Sequence, residues 1–172
     1  SRDAFLSLVP AVLATSQLRL GVCIVSSYEM HPVKMANALL TLNEYAKGRA
    51  GLVLGGGGEW MLRLGMKTDK RITAVRESIE MVKRSSADKP LAYHGQVFKV
   101  YGFQPKYATD PAPLVYAGAN REKMLRASVA AGDGVMYSDM PRGLVQKMTD
   151  TVREALQAAD RPVEGDGTLQ AL

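Results

Sequence analysis

Residues 18–58 read LRLGVCIVSSYEMHPVKMANALLTLNEYAKGRAGLVLGGGG, and the order of patterns in this stretch decides the fold class. Leu18 to Val25 is a short, mostly apolar run with β-branched residues, which reads as a strand buried on both faces. Pro32 then stands at a first helical position, and Val33, Ala36, Leu39, Leu40 and Tyr45 follow at helical spacing up to the stop at Gly48. Ala50 to Leu54 is a second buried strand, running into Gly55-Gly56-Gly57-Gly58-Glu59 as a loop. Strand, helix and strand in this order predict a parallel pair with a helical crossover.

The alternation continues on both sides. Upstream, Phe5, Leu8, Val9, Val12 and Leu13 predict a helix over residues 3–15, with Pro10 inside it. Downstream, Ile72, Val75, Ile79 and Val82 mark a helix over about 70–85 with a charged opposite face. Tyr93 to Phe103 alternates about a His94-Gly95 turn and predicts a small hairpin, an insertion near 91–103 ahead of the proline-rich stretch Pro105 to Pro113. A strand at Pro113 to Ala117, a helix at Glu122 to Ala131, a strand at Gly134 to Tyr137 and a helix through Leu144, Met148, Val152 and Leu156 complete the pattern.

One helix followed by four strand-helix units predicts adjacent parallel strands at 18–25, 50–55, 113–117 and 133–137, in a single α/β domain over residues 1–172. A complete (β/α)₈ barrel needs about 250 residues, so the chain corresponds to part of such a TIM barrel. An open doubly wound sheet is the structural rival, and pattern alone does not separate the two. The chain begins at Ser1 and ends after Gly165-Asp166-Gly167 without a closing element, so it reads as a fragment.

Composition narrows the function. With 47% hydrophobic and 23% charged residues the chain has the makings of a packed core. It lacks both a run long enough to span a membrane and a signal-peptide pattern, which points to the cytoplasm. One cysteine, Cys23, and two histidines, His31 and His94, offer no metal-ligand spacing. The net charge of +5 is spread from Arg2 to Arg161 without a dense basic run, so no nucleic-acid partner is expected. The expected partner is a small molecule, and the expected assembly a homo-oligomer.

In either architecture ligands sit beyond the C-terminal ends of the parallel strands. Gly55 to Gly58 exposes main-chain N–H groups as a phosphate or planar ring would require, although alone such a run reads as a flexible turn. No Lys-Ser or Lys-Thr pair follows it, and Trp60 and Met61 stand where the dinucleotide pattern puts its third glycine. Gly118-Ala119-Asn120 precedes a helix whose free N–H groups favour an anion, and Asn120 serves equally as an ordinary cap. Glu59 is the one carboxylate in these loops among glycines and apolar residues, a setting that raises a pKa by desolvation and makes it a candidate general acid. Its alternative is a solvated loop glutamate; Trp60 reads as core or pocket wall, and His31 as the start of a helix.

Several motifs occur together in order. Leu18-Arg19-Leu20-Gly21, Tyr28, His31-Pro32, Thr41-Leu42-Asn43, Gly48-Arg49, Leu54-Gly55 and Gly57 are followed by Arg76-Glu77, Gly95-Gln96-Val97-Phe98, Pro113, Lys123-Met124-Leu125 and Asp133-Gly134-Val135. From Asp3 to about Leu156 this order resembles the luciferase-like monooxygenase family, most strongly its deazaflavin-dependent branch, which includes methylenetetrahydromethanopterin reductases. The resemblance implies that the chain runs from the second to the sixth helix of a (β/α)₈ barrel. It implies hydride transfer through coenzyme F-420, or alternatively FMN, at the barrel mouth. Carried over by position, Cys23, Ile24 and Ser26 back the cofactor ring, with a non-proline cis peptide between Cys23 and Ile24. Gly57, Gly58 and Glu59 line the ring, while Ala117, Gly118, Ala119 and Asn120 approach the tail. The family's Gly-Pro before the lysine is here Arg121-Glu122. The alternatives to an F-420-dependent oxidoreductase are an FMN-dependent monooxygenase and an inactive partial barrel acting as a binding or assembly module.

Overall fold

Asp3 shapes the first turn, its carboxylate accepting from the N–H groups of Phe5 and Leu6 at 3.0 and 2.8 Å. The computed structural model describes residues 2–162, so Gly165 to Gly167 lie outside it. A 3-10 turn at Leu6–Leu8 leads into α1 (Val9–Ala14), β1 (Leu20–Ser26), α2 (Pro32–Ala46) and β2 (Ala50–Gly55). Then follow α3 (Gly58–Arg63), α4 (Arg71–Arg84), β3 (Leu91–His94), β4 (Lys99–Phe103), β5 (Leu114–Gly118), α5 (Glu122–Val129), β6 (Gly134–Met136) and α6 (Arg142–Ala158).

Four local expectations are corrected. The helix expected over 3–15 is a 3-10 turn plus a short α1, because Pro10 is tolerated only in a first helical turn, where its missing N–H has no partner to lose. The loop expected over Gly55 to Glu59 shrinks to Gly56 and Gly57, since Gly58 and Glu59 already belong to α3. And β1 is buried on one face only: Leu20, Val22 and Val25 are buried, whereas Gly21 and Cys23 are exposed. Ile72, expected on the apolar stripe of α4, is exposed as well, while Val75, Ile79 and Val82 are buried.

The sheet runs β1-β2-β5-β6, and every pair in it is parallel. The expected hairpin forms as a separate antiparallel pair of β3 and β4. Strand order follows sequence order without reversal, and one core joins Leu20, Leu52, Leu54, Val115 and Ala117 of the strands to α1, α2 and α4. A doubly wound sheet reverses its order and carries helices on both faces, so that rival is eliminated. Curvature points the same way. In a flat sheet β1 and β6 would lie about 14 Å apart, yet Cys23 Sγ is 3.5 Å from Met136 Sδ across the open face. The sheet curls as a barrel wall does, with its helices outside. Among the described residues no helix is long and apolar enough to cross a membrane.

Polar side chains fix the joints. The Arg49 guanidinium donates to the carbonyls of Leu18 at 2.6 Å and Thr15 at 2.9 Å, tying β2 to the end of α1. Asp133 accepts from the Val115 N–H at 2.7 Å and pairs with Lys83, which aligns β5, β6 and α4. At the start of α2, His31 Nδ1 accepts from the Val33 N–H at 3.2 Å. Burial holds the pKa of this imidazole below its usual 6.5. The unfolded chain therefore takes up a proton that the folded chain refuses, so the His31 contribution is complete above about pH 6.5 and is lost as pH falls toward the folded value. His31→Asn keeps a capping acceptor without titrating, so its urea midpoint should fall less than wild type between about pH 7.5 and about pH 5.5. Equal falls would remove His31 as a source of acid sensitivity.

Candidate functional site

At the C-terminal end of β1 the pairing with β2 slips: Cys23 opposes Val53 and Val25 opposes Leu54, leaving Ile24 as an extra residue. The peptide between Cys23 and Ile24 is cis, as the family resemblance implied. Because of the bulge, Cys23 and Ile24 are exposed in succession while Val25 and Ser26 are buried. Ile24 then lies across the ends of the next two strands. A β-carbon on Gly55, the last residue of β2, would stand 2.6 Å from Ile24 Cγ2, and one on Gly118, the last residue of β5, 2.9 Å from Ile24 Cδ1. Two glycines thus make the seat that lets a branched side chain lie flat while remaining 46% exposed.

The glycine loop turns the chain into α3. Gly57 has φ +85° and caps the helix, and a β-carbon there would collide with Met61 and approach Ser26 Oγ to 2.8 Å. No other residue fits both the dihedral and the space. Met61 is buried beneath this turn and anchors α3. Trp60 lies about 100° further round the helix and is 52% exposed.

These parts enclose a cleft of about 410 Å³, within the range of about 300–1,000 Å³ usual for small-molecule sites. Ile24, Ser26, Glu29 and Gly118 line it together with Gly55 to Gly58 and with Trp60 and Met61 of α3. Of the residues singled out in the sequence, Ile24, Ser26, Gly57, Gly58 and Gly118 come together here. The others lie elsewhere. Cys23 rests against Met136 on the open face of the sheet, and Ala117 is buried in the helix-side core. The Ala119 N–H donates to the Met136 carbonyl at 3.1 Å. Asn120 does not cap α5: its amide donates to the Ser138 carbonyl at 2.7 Å and accepts from the Ser138 N–H at 3.1 Å, clamping the β5 and β6 loops together. Glu59 sits in the first turn of α3 but is exposed, so the expected desolvation is absent. Gly55 and Gly56, singled out as part of the glycine run, line the cleft too; Glu29 was not foreseen, and its only signal was position after a strand end.

Residues 1–169 match the family described as luciferase-like monooxygenase. The chain belongs to this family. It is 31% identical over 139 residues to a 5,10-methylenetetrahydromethanopterin reductase of Archaeoglobus fulgidus, covering 80% of this chain and 42% of that protein. Among solved structures it is similar to the coenzyme F-420-dependent tetrahydromethanopterin reductase of Methanopyrus kandleri, at TM-score 0.80 and 22% identity, over 94% of this chain and 51% of the other. It is also similar to the monooxygenase RslO1 of Streptomyces bottropensis, at TM-score 0.79 and 26% identity, with the same coverage. The luciferase-like chain thus spans about half the length of these solved relatives. Its curved parallel sheet is part of the barrel-like luciferase fold, and the cleft lies at the C-terminal strand ends where such barrels bind ligands.

Proposed function

We propose that the protein containing this chain is an oxidoreductase that moves a hydride between coenzyme F-420 and an organic substrate, with the cleft above β1, β2 and β5 receiving the flat cofactor ring. The observation that carries this reading is the Ile24 wall, an exposed apolar side chain held across two strand-end glycines beside a main-chain loop free of β-carbons. Such a surface fits a planar ring: Ile24 packs on one face, and Gly56 to Gly58 admit its edge. Similarity to methylenetetrahydromethanopterin reductases of Archaeoglobus fulgidus and Methanolobus tindarius, at 31% and 26% identity, favours the deazaflavin over FMN.

The cofactor, when bound, supplies the hydride chemistry, and the protein supplies position and electrostatics. Ile24 would cover one ring face and leave the other to the substrate. Ser26 Oγ accepts from the Tyr28 N–H at 3.2 Å, so its own O–H is left to donate into the cleft. Gly57 and Gly58 would line the ring. Cys23, Ala117, Ala119 and Asn120 act through the strand ends and loops they hold. Glu59, beside the cleft residues Gly58 and Trp60, orients the substrate or donates a proton, with Glu29 as the second carboxylate of the rim.

Fluorescence titration of the whole protein tests the assignment. Coenzyme F-420 should bind at least about tenfold more tightly than FMN, about 1.4 kcal/mol. Steady-state kinetics of the same protein should show Glu59→Gln lowering turnover, while the titration shows cofactor affinity nearly unchanged. Tight FMN binding without F-420 binding would move the protein to the monooxygenase reading, to which its 26% identity with RslO1 lends support. Binding of neither would remove the cofactor reading altogether.

A further inference from the structure

We infer that Trp60 selects the substrate, and that the substrate class is an uncharged or cationic organic molecule presenting a flat apolar face, with anions disfavoured. The inference rests on the reading of the cleft as the cofactor site and adds what is received beside the ring. Its starting point is an indole that lines the cleft and yet is 52% exposed. Helix α3 does not fold this side chain into the core, because Met61 occupies the buried position under Gly57 and the helical rotation turns Trp60 away from it. Leu64, one turn further along the same face, is 46% exposed, so apolar surface continues outward from the indole. With Ile24, the indole lines the cleft with apolar surface.

Charge sets the second half of the specificity. Among the described residues lining the cleft the one ionisable side chain is Glu29, a carboxylate, with neither lysine nor arginine beside it in the lining. A carboxylate or phosphate on the substrate would lose its water and meet like charge, whereas a neutral group would lose little. A cation would gain from Glu29 and from the face of the indole, the aromatic ring that binds cations best. Outside the cleft, Glu59 and Arg63 of α3 are both exposed with opposite charges and the Arg71 stem packs beside Gly56, so the charge that lines the cleft is that of Glu29.

Size-matched probes test this on the whole, cofactor-loaded protein. Benzyl alcohol, benzylamine and benzoate differ chiefly in charge, and ligand-observed NMR titration gives a Kd for each. The alcohol and the amine should bind at least about tenfold more tightly than benzoate. Trp60→Ala should weaken both by about tenfold, and Trp60→Phe, which keeps an aromatic face, should retain most of the affinity. Because Trp60 is largely exposed, both variants should fold, and cofactor titration of the same samples verifies it. Normal cofactor binding with equal affinity for all three probes, or with unchanged probe affinity in Trp60→Ala, overturns the inference and leaves the cofactor reading standing. Failure of wild-type protein to bind cofactor overturns that reading, and the inference with it.

Discussion

Glu77→Ala is expected to destabilise the fold by about 3–5 kcal/mol, although Glu77 is remote from the cleft. The side chain lies on α4, is 1% exposed, and collects three main-chain donors from the tip between β3 and β4. The Gln96 N–H donates to Oε1 at 2.7 Å, and those of Val97 and Phe98 donate to Oε2 at 3.0 Å. Hydrogen bonds to a charged acceptor contribute about 1.5–3 kcal/mol each, and a stranded donor costs about 1–3 kcal/mol. The three losses do not simply add, because Gln96 is exposed and Val97 and Phe98 are half-buried, so water recovers part of them. Gly95→Ala should reproduce much of the effect from the other side, since its β-carbon would fall on the Glu77 carboxylate. Urea unfolding is the measurement, and the midpoint should drop with little change in slope. A Glu77→Ala midpoint equal to wild type would show that the hairpin holds its tip without the carboxylate.

The second large effect falls on the cleft. Gly55→Ala places a carbon 2.6 Å from Ile24 Cγ2, closer than packed atoms allow, and the isoleucine must leave its seat. Ile24 lines the cleft and is exposed there, so a displaced side chain enters it and cofactor affinity should fall about ten- to a hundredfold, about 1.4–2.8 kcal/mol. Overpacking should also cost about 1–3 kcal/mol of stability. A double-mutant cycle separates steric displacement from general damage. Once Ile24→Ala has removed the clashing methyl, adding Gly55→Ala should cost little more, giving a coupling energy of about 1–2 kcal/mol. Additive losses would mean that Gly55 and Ile24 act independently and that the seat described here is not what holds the wall.

Much of this was legible in advance. The four strands appear where the alternation of short apolar runs and helical stripes put them, because a buried parallel strand and a crossover helix each need an uninterrupted apolar pattern that composition cannot hide. Ile24, Ser26, Gly57, Gly58 and Gly118 were singled out and do line one cleft, since all lie within a few residues of a strand's C-terminal end. Helix α3 was missed: a six-residue helix that starts on glycine has neither the length nor the cap that marks a helix in sequence. Glu59 was read from its chain neighbours as desolvated, but neighbours in sequence do not determine burial, and the first turn of α3 puts its side chain outside. Asn120 failed as a cap for a related reason, because its partner, Ser138, lies on another loop.

By itself, the amino-acid sequence determined the α/β class, the parallel order, the hairpin and the family, all of which follow from local periodicity and from motifs held in one linear order. Tertiary structure alone decided between a barrel wall and a doubly wound sheet. That choice depends on which side of the strands the helices pack and on the curl that brings Cys23 to Met136, and a pattern of alternating elements is the same for both. Tertiary structure alone also decided which carboxylate and which aromatic face the cleft. Glu29 and Trp60 are placed there by a turn and by one buried methionine, and burial of one residue sets the direction of the next only after the chain has packed.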